Sequence, residues 1–242
     1  MGFGRPPRTP WNGFPDVLIL AGESATKRHL AYPAAKGGDV PAARRLVEAL
    51  VDEHAIQRIA HAVPRRDAVL AAVHAFEAEG INRIPTVLAQ VLAEHVGLTA
   101  EASIVQTNRV GHTGASGYRR LAFPALFDGD VEPGRAYVLV DDFVGQGGTL
   151  ANLKGFIERK GGVAAVAITL TGKAYSAKLT LSERTSRVLR EKHGAELESW
   201  WESTFGYGLD CLTESEARYL ARADSAQLIR DRILAARQEG DA

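Results

Sequence analysis

Two adjacent carboxylates and a glycine-rich turn lie close together in the middle of the chain. Asp141 and Asp142 follow the apolar run Tyr137 to Val140 and precede the turn Gly145-Gln146-Gly147-Gly148-Thr149. The run is typical of a short buried strand, and residues 150–160 predict a helix. Backbone N–H groups of such a turn bind anions, and glycines allow close approach. Since carboxylates accept hydrogen bonds from sugar hydroxyls or help to place a metal ion, the segment predicts a site for a phosphate with a sugar beside it.

Two other phosphate-binding motifs fit this segment less well. A P-loop has Lys immediately before its Ser or Thr, where this chain has Gly148. A dinucleotide-binding fingerprint has a third small residue where this chain has Leu150, and it does not normally carry two acids at the end of the strand. A simpler alternative is a tight turn between strand and helix, in which an acid only caps the helix.

The order of four apolar residues, two acids and a short loop ending in Gly-Gly-Thr resembles the phosphoribosyl pyrophosphate (PRPP) motif of type I phosphoribosyltransferases. This resemblance implies that Asp141 and Asp142 hold the ribose hydroxyls and act in catalysis. It implies that the 5′-phosphate is bound by Gly145, Gln146, Gly147, Gly148 and Thr149. It also implies Mg²⁺ as cofactor, which the two acids would contact indirectly through the ligand or water.

The resemblance further places two loops around PRPP. The segment 76–82 would contact the pyrophosphate, through Glu77, Glu79, Gly80 and Asn82, although a solvated turn is the alternative. The polar segment 107–120 would be a mobile loop that closes on the pyrophosphate and brings positive charge to the leaving group. Its candidate residues are Arg109 and Arg119 as catalytic groups, with His112, Thr113 and Arg120. The alternative there is an ordinary surface loop with solvated arginines.

The implied function is the transfer of 5-phosphoribose from PRPP to a base-like nitrogen acceptor, with release of pyrophosphate. Such a pentosyltransferase would serve nucleotide metabolism. One alternative is a regulatory or competence-type protein that binds PRPP or a nucleotide without catalysis, and another is an interaction module on a degenerate core. No acceptor signature is recognisable, so the acceptor stays open. Lys173, Tyr175 and Ser176, after the last predicted strand, are candidate contacts to it.

Strands and helices alternate along the chain, which predicts an α/β fold with a parallel sheet flanked by helices. The family resemblance adds a type I phosphoribosyltransferase-like topology with a small hood. We expect an N-terminal arm and hood segment at 1–66, the core at 67–175, and a C-terminal helical extension at 176–242. The first core strand is expected at 67–75, with 56–63 as the alternative, and the second at 103–106.

Composition narrows the classes of function. The 242 residues have a formal net charge of zero, which disfavours broad binding to nucleic acid or to an anionic membrane. The single cysteine, Cys211, excludes an internal disulfide. No apolar run is long enough to cross a membrane, and the first residues read as a loose or surface arm rather than a signal peptide. We therefore expect a cytoplasmic protein whose partners are PRPP and a small-molecule acceptor. We also expect the chain to form a homodimer.

Overall fold

The computed structural model describes residues 5–63, 67–74, 76–77, 80–110 and 115–240. Its strands, in chain order, are β1 (Leu18–Ile19), β2 (Val69–Ala72), β3 (Phe76–Glu77), β4 (Gly80–Ile81), β5 (Thr99–Glu101), β6 (Val105–Gln106), β7 (Phe127–Asp128), β8 (Ala136–Val144) and β9 (Val163–Gly172). Its helices are α1 (Ala25–Arg28), α2 (Tyr32–Lys36), α3 (Val40–Leu50), α4 (Glu53–Ala62), α5 (Ile84–Val96), α6 (Gly117–Ala122), α7 (Gly148–Arg159), α8 (Glu183–Phe205), α9 (Glu214–Ala221) and α10 (Ala226–Gly240).

Five strands form one parallel sheet in the order β1-β9-β8-β2-β5. Helix α5 connects β2 to β5, and α7 connects β8 to β9, as parallel neighbours require a crossover. The predicted α/β fold with a parallel sheet and flanking helices is therefore confirmed. The more specific topology of a type I phosphoribosyltransferase stays a prediction.

The sheet has a hydrophobic core on each face because successive side chains of a strand point to opposite sides. Along β2, Leu70 packs on one face with residues of α3 and α5. Its neighbours Val69 and Ala71 pack on the other face with residues of α7 and with Trp11. The long strands β8 and β9 are apolar and buried for most of their length, which is typical of parallel strands covered on both faces.

Of the two strand predictions, one agrees with the structure and one differs from it. The first core strand is Val69–Ala72, as expected, whereas the alternative segment 56–63 falls mainly in α4. The second sheet strand is β5 at Thr99–Glu101, not 103–106. Val105 and Gln106 instead form β6, which pairs antiparallel with β7 outside the main sheet. The sequence pattern favoured 103–106 because this segment is more apolar. In the structure, the chain that leaves α5 joins the sheet before it reaches that segment, at β5.

The C-terminal helices have a hydrophobic core of their own. Helices α8, α9 and α10 contribute to this core, with Trp201 and Phe205 nearly fully buried in it. Helix α6 adds Leu121 and Ala122. The prediction that 107–120 is wholly a loop is thus wrong at its end. Helix α6 forms there because Ser116 caps it, with Oγ accepting from the amide of Arg119, and because its apolar residues pack into this core.

The N-terminal arm is not loose over its described part. Trp11 is 4% exposed, and its indole N–H donates to the carbonyl of Leu212 at 2.7 Å. Lys154 on α7 donates to the carbonyl of Pro10 and forms an ion pair with Glu158. The arm therefore lies between α7 and the C-terminal helices. None of the helices in the described ranges has both the length and the apolar character needed to cross a membrane.

Candidate functional site

The two aspartates lie within β8 rather than after it, because the strand continues to Val144. The Asp141 side chain is buried, and one of its oxygens accepts a hydrogen bond from the amide of Asp142 at 2.8 Å. Burial, followed by the negative charge of Asp142, raises the pKa of Asp141 well above its usual value. Folding therefore makes Asp141 a weaker acid than an exposed aspartate.

Asp142 is held by two partners from distant segments. Asn82, just after β4, donates from its side-chain amide to Asp142 Oδ2 at 2.9 Å. Lys36, at the end of α2, places its ammonium 3.5 Å from the same oxygen. The structure thus brings Asn82, predicted to contact pyrophosphate, to the acid pair. In the part of the chain that the structure describes, no three His, Cys, Asp or Glu side chains come together as a metal site, and Mg²⁺ stays a prediction.

The glycine turn begins α7. Gly147 is the N-cap residue and has a left-handed backbone with φ of 82°, which glycine adopts without strain. The first amides of a helix lack partners within the helix. Among the described residues, none of the amides from Gly145 to Thr149 donates a hydrogen bond to another group. Unpaired amides at a helix N-terminus are suited to bind an anion.

One side of this turn is covered by the C-terminal helices. A Cβ atom on Gly147 would collide with Leu179, and one on Gly148 would lie 2.6 Å from a carboxylate oxygen of Glu216. Thr213 Oγ1 donates to the carbonyl of Gln146 at 2.6 Å. The absence of side chains at Gly147 and Gly148 therefore permits close packing of protein atoms, while Gly145 and Gln146 stay on the open side.

That open side faces a basic cleft of about 520 Å³ at the carboxyl edge of the sheet. Among the described residues its basic side chains are Arg120, Lys173, Arg218 and Arg222, and no carboxylate lines it. Lys173 and Arg222 form no ion pair with any described residue. Arg218 lies 3.9 Å from the carboxylate of Glu214. Lys173 and Arg222 therefore supply the positive charge of the cleft that no described carboxylate pairs with.

The remaining predicted residues lie in several places. Arg109 is exposed, and Arg119 stacks its guanidinium over Phe123 at 5.0 Å. Residues 76–82 are not a simple loop, since β3 and β4 pair as a short hairpin that includes Glu77 and Gly80. Glu79, His112 and Thr113 lie outside the described residues. Of the predicted loop cations, the structure brings Arg120 to the cleft.

Sequence reasoning missed the contribution of α9. Arg218 and Arg222 are four residues apart and so share a helix face. Two basic residues on a helix that is far from the glycine turn in the sequence usually lie on a solvent-exposed face. The local pattern therefore did not indicate a site. Only the packing of α9 over the turn reveals it. The acid pair, by contrast, does not line the cleft.

Comparisons with known proteins give the chain two curated relatives, and no family model matches it. It is 40% identical to Protein TraN of Escherichia coli over 237 residues, which are 98% of this chain and 53% of that protein. It is 38% identical to an uncharacterized protein of Haemophilus influenzae over 151 residues, which are 62% of this chain and 34% of that protein. The chain thus spans about half the length of TraN and about a third of the other relative.

These relatives correct the predicted function. The relative that matches almost the whole chain is TraN, not a phosphoribosyltransferase, so the prediction of 5-phosphoribose transfer in nucleotide metabolism is wrong. The physical reason is that a strand, acid pair and glycine turn make a phosphate site that folds can use for unrelated functions. That the chain is an enzyme at all, that it binds PRPP, that it forms a homodimer and that it is cytoplasmic stay predictions.

Proposed function

We propose that the chain is a binding protein for a phosphate-bearing ligand, which it holds in the basic cleft between the sheet and α9. The observation that carries this proposal is the composition of the cleft. Four basic side chains and the start of the glycine turn surround about 520 Å³, without a carboxylate among the described lining residues. A volume of this size is typical of sites for small ligands or ligand segments.

Electrostatics supports an anionic ligand. Cations brought close together repel one another, and a bound phosphate relieves that repulsion while accepting hydrogen bonds from guanidinium groups. Burial lowers the pKa of Arg120, as expected for a cation partly removed from water. The amides at the start of α7 add partial positive charge at the same edge.

The arrangement also separates the proposed site from the acid pair. Asp142 is engaged by Lys36 and Asn82, and Asp141 is buried against it. Neither carboxylate lines the cleft. The proposed phosphate site therefore uses the cations and the turn, whereas the acids belong to the neighbouring contact with α2 and the β3–β4 hairpin.

Calorimetric titration with inorganic pyrophosphate tests the proposal. The double variant Lys173→Ala/Arg222→Ala should bind at least about tenfold more weakly than the parent, since a hydrogen bond to a charged group contributes about 1.5–3 kcal/mol. Both residues are cleft cations without an ion-pair partner among the described residues, so their removal should leave the fold intact. Raising the salt concentration should weaken binding to the parent protein.

Arg58→Ala is the matched control, because Arg58 is an exposed cation on α4 away from the cleft. It should leave the affinity for pyrophosphate unchanged. If the double variant binds as tightly as the parent, or if the control loses as much affinity, the cleft is not the phosphate site. Absence of binding to the parent at millimolar pyrophosphate would refute the proposed function itself.

A further inference from the structure

Beside the basic cleft, the connection after β9 carries an exposed aromatic ring between two lysines. Its sequence from 173 to 178 is Lys-Ala-Tyr-Ser-Ala-Lys. Tyr175 lines the cleft, yet 60% of its surface is exposed. Lys178 is exposed as well and, within the described residues, forms no ion pair. We propose that the phosphate-bearing ligand is single-stranded nucleic acid, with backbone phosphates in the cleft and an unpaired base stacked on Tyr175. This inference rests on the proposed function.

The Tyr175 ring is presented on a rigid support. The backbone carbonyl of Tyr175 accepts a hydrogen bond from Arg218 at 2.8 Å. The next residue, Ser176, is fully buried and its hydroxyl lies 2.9 Å from that of Ser215 on α9. These contacts fix the backbone that carries the ring, which lowers the entropy that a bound ligand would otherwise remove. A large, exposed aromatic side chain on a fixed backbone is suited to receive another flat ring.

Two cations lie over that ring at distances typical of cation–π contacts. The ammonium of Lys173 lies 5.7 Å from the ring centroid, and the guanidinium carbon of Arg218 lies 5.8 Å from it. The same two side chains line the cleft. Phosphates and a base attached to one sugar backbone would therefore meet cations and an aromatic face side by side. This combination of a basic groove and a stacking platform is how proteins bind single strands without sequence preference.

The positions of the cleft cations and of Tyr175 favour single-stranded nucleic acid over a small anion or a duplex. A small anion inside the cleft would make no use of the exposed side of Tyr175, whereas a single strand of nucleic acid is long enough to reach from the cleft over this ring. In a duplex the bases stack on one another, so their faces are not available to the tyrosine. The zero net charge of the chain means that this binding depends on the local cluster and is moderate in strength.

Fluorescence anisotropy with a labelled oligothymidine of about twelve nucleotides tests the inference on the whole chain. Tyr175→Leu should weaken binding about 5- to 150-fold, since stacking of one base contributes about 1–3 kcal/mol. Tyr175→Phe keeps the ring and should bind like the parent. The logarithm of affinity against that of salt should have a slope of about −3 if four cations contact phosphates. Lys173→Ala/Arg222→Ala should reduce that slope by about 1.4.

Pyrophosphate and a duplex of the same length separate the outcomes. If pyrophosphate binds to the cleft but the single strand binds no more tightly, the ligand is a small anion and this inference fails while the proposed function stands. If neither binds, both fail. Equal affinity for duplex and single strand, or an unchanged affinity in Tyr175→Leu, also overturns the stacking of a base on Tyr175.

Discussion

The buried ion pair between Arg8 and Glu216 joins the N-terminal arm to α9. Two guanidinium nitrogens donate to the two carboxylate oxygens at 2.6 and 2.8 Å, and Arg8 Nε donates to Asn152 on α7 at 2.7 Å. The side chains are only 3% and 4% exposed. Burial by itself lowers the pKa of Arg8, but the charge of Glu216 and its hydrogen bonds raise it overall. The pair thus connects three separate segments over the glycine turn.

Replacing Arg8 with Ala should strongly destabilise the protein. The substitution leaves the Glu216 carboxylate buried without its cation, and the loss of one partner of a buried pair lowers the free energy of unfolding by about 3–5 kcal/mol. For a chain of this size each kcal/mol corresponds to a Tm shift of about 2–4 °C. The expected fall in Tm is therefore about 6–20 °C, measured by thermal unfolding followed by circular dichroism, with urea unfolding as a second measure.

Two further variants test the reasoning. Arg44→Ala removes a cation whose ion pairs with Glu48 and Glu94 are exposed to water, so its Tm should change little. Arg8→Met/Glu216→Met replaces both charges with apolar groups and should be more stable than Arg8→Ala, because no buried charge is left unpaired. A loss below about 1 kcal/mol in Arg8→Ala, or a double variant as unstable as the single one, would refute the role given to the pair.

Two other predictions concern the turn and the acid pair. Gly147→Ala should lower the free energy of unfolding by about 2–4 kcal/mol, from its positive φ and its collision with Leu179. In Gly145→Ala the new Cβ would approach the flexible end of Arg120 and make only ordinary contact with Phe143, so this variant should lose less stability than Gly147→Ala. Equal urea midpoints for the two variants would contradict this. Asp141 has a raised folded pKa, so stability falls as pH rises from its unfolded to its folded pKa. The neutral variant Asp141→Asn should therefore have a higher Tm than the parent protein at pH 7. A lower Tm for the variant, measured by calorimetry at this pH, would contradict the raised pKa of Asp141.

Much of the fold was predictable because its signals are local. The apolar run before Asp141, the glycines after it and the helical pattern beyond predicted β8, the turn and α7 in the correct order. The start of α9 is local as well, because Thr213 and Glu216, three residues apart in the sequence, form a capping box there. Each of these depends on residues close together in the chain, so the pattern of side chains is sufficient to indicate the element.

The function was predicted less well for a related reason. A local motif shows that a phosphate can bind, but the rest of the cleft decides which molecule carries that phosphate. Arg218, Arg222 and Tyr175 come from segments that the motif does not include, and they reach the turn only through the packing of α9 and the connection after β9. The resemblance to the PRPP motif therefore indicated the chemistry of the glycine turn, which forms one side of the cleft, and not the identity of the ligand.

The sequence by itself determined the alternation of strands and helices, the position of the anion-binding turn and the presence of two acids beside it. Only the tertiary structure decided that Arg8 is buried against Glu216, that Asp142 is paired with Lys36 and Asn82, and that four cations share one cleft. Periodicity and glycine positions act over a few residues. Burial and charge pairing depend on which distant segments meet, and an isolated arginine or lysine in a sequence gives no sign of its partner.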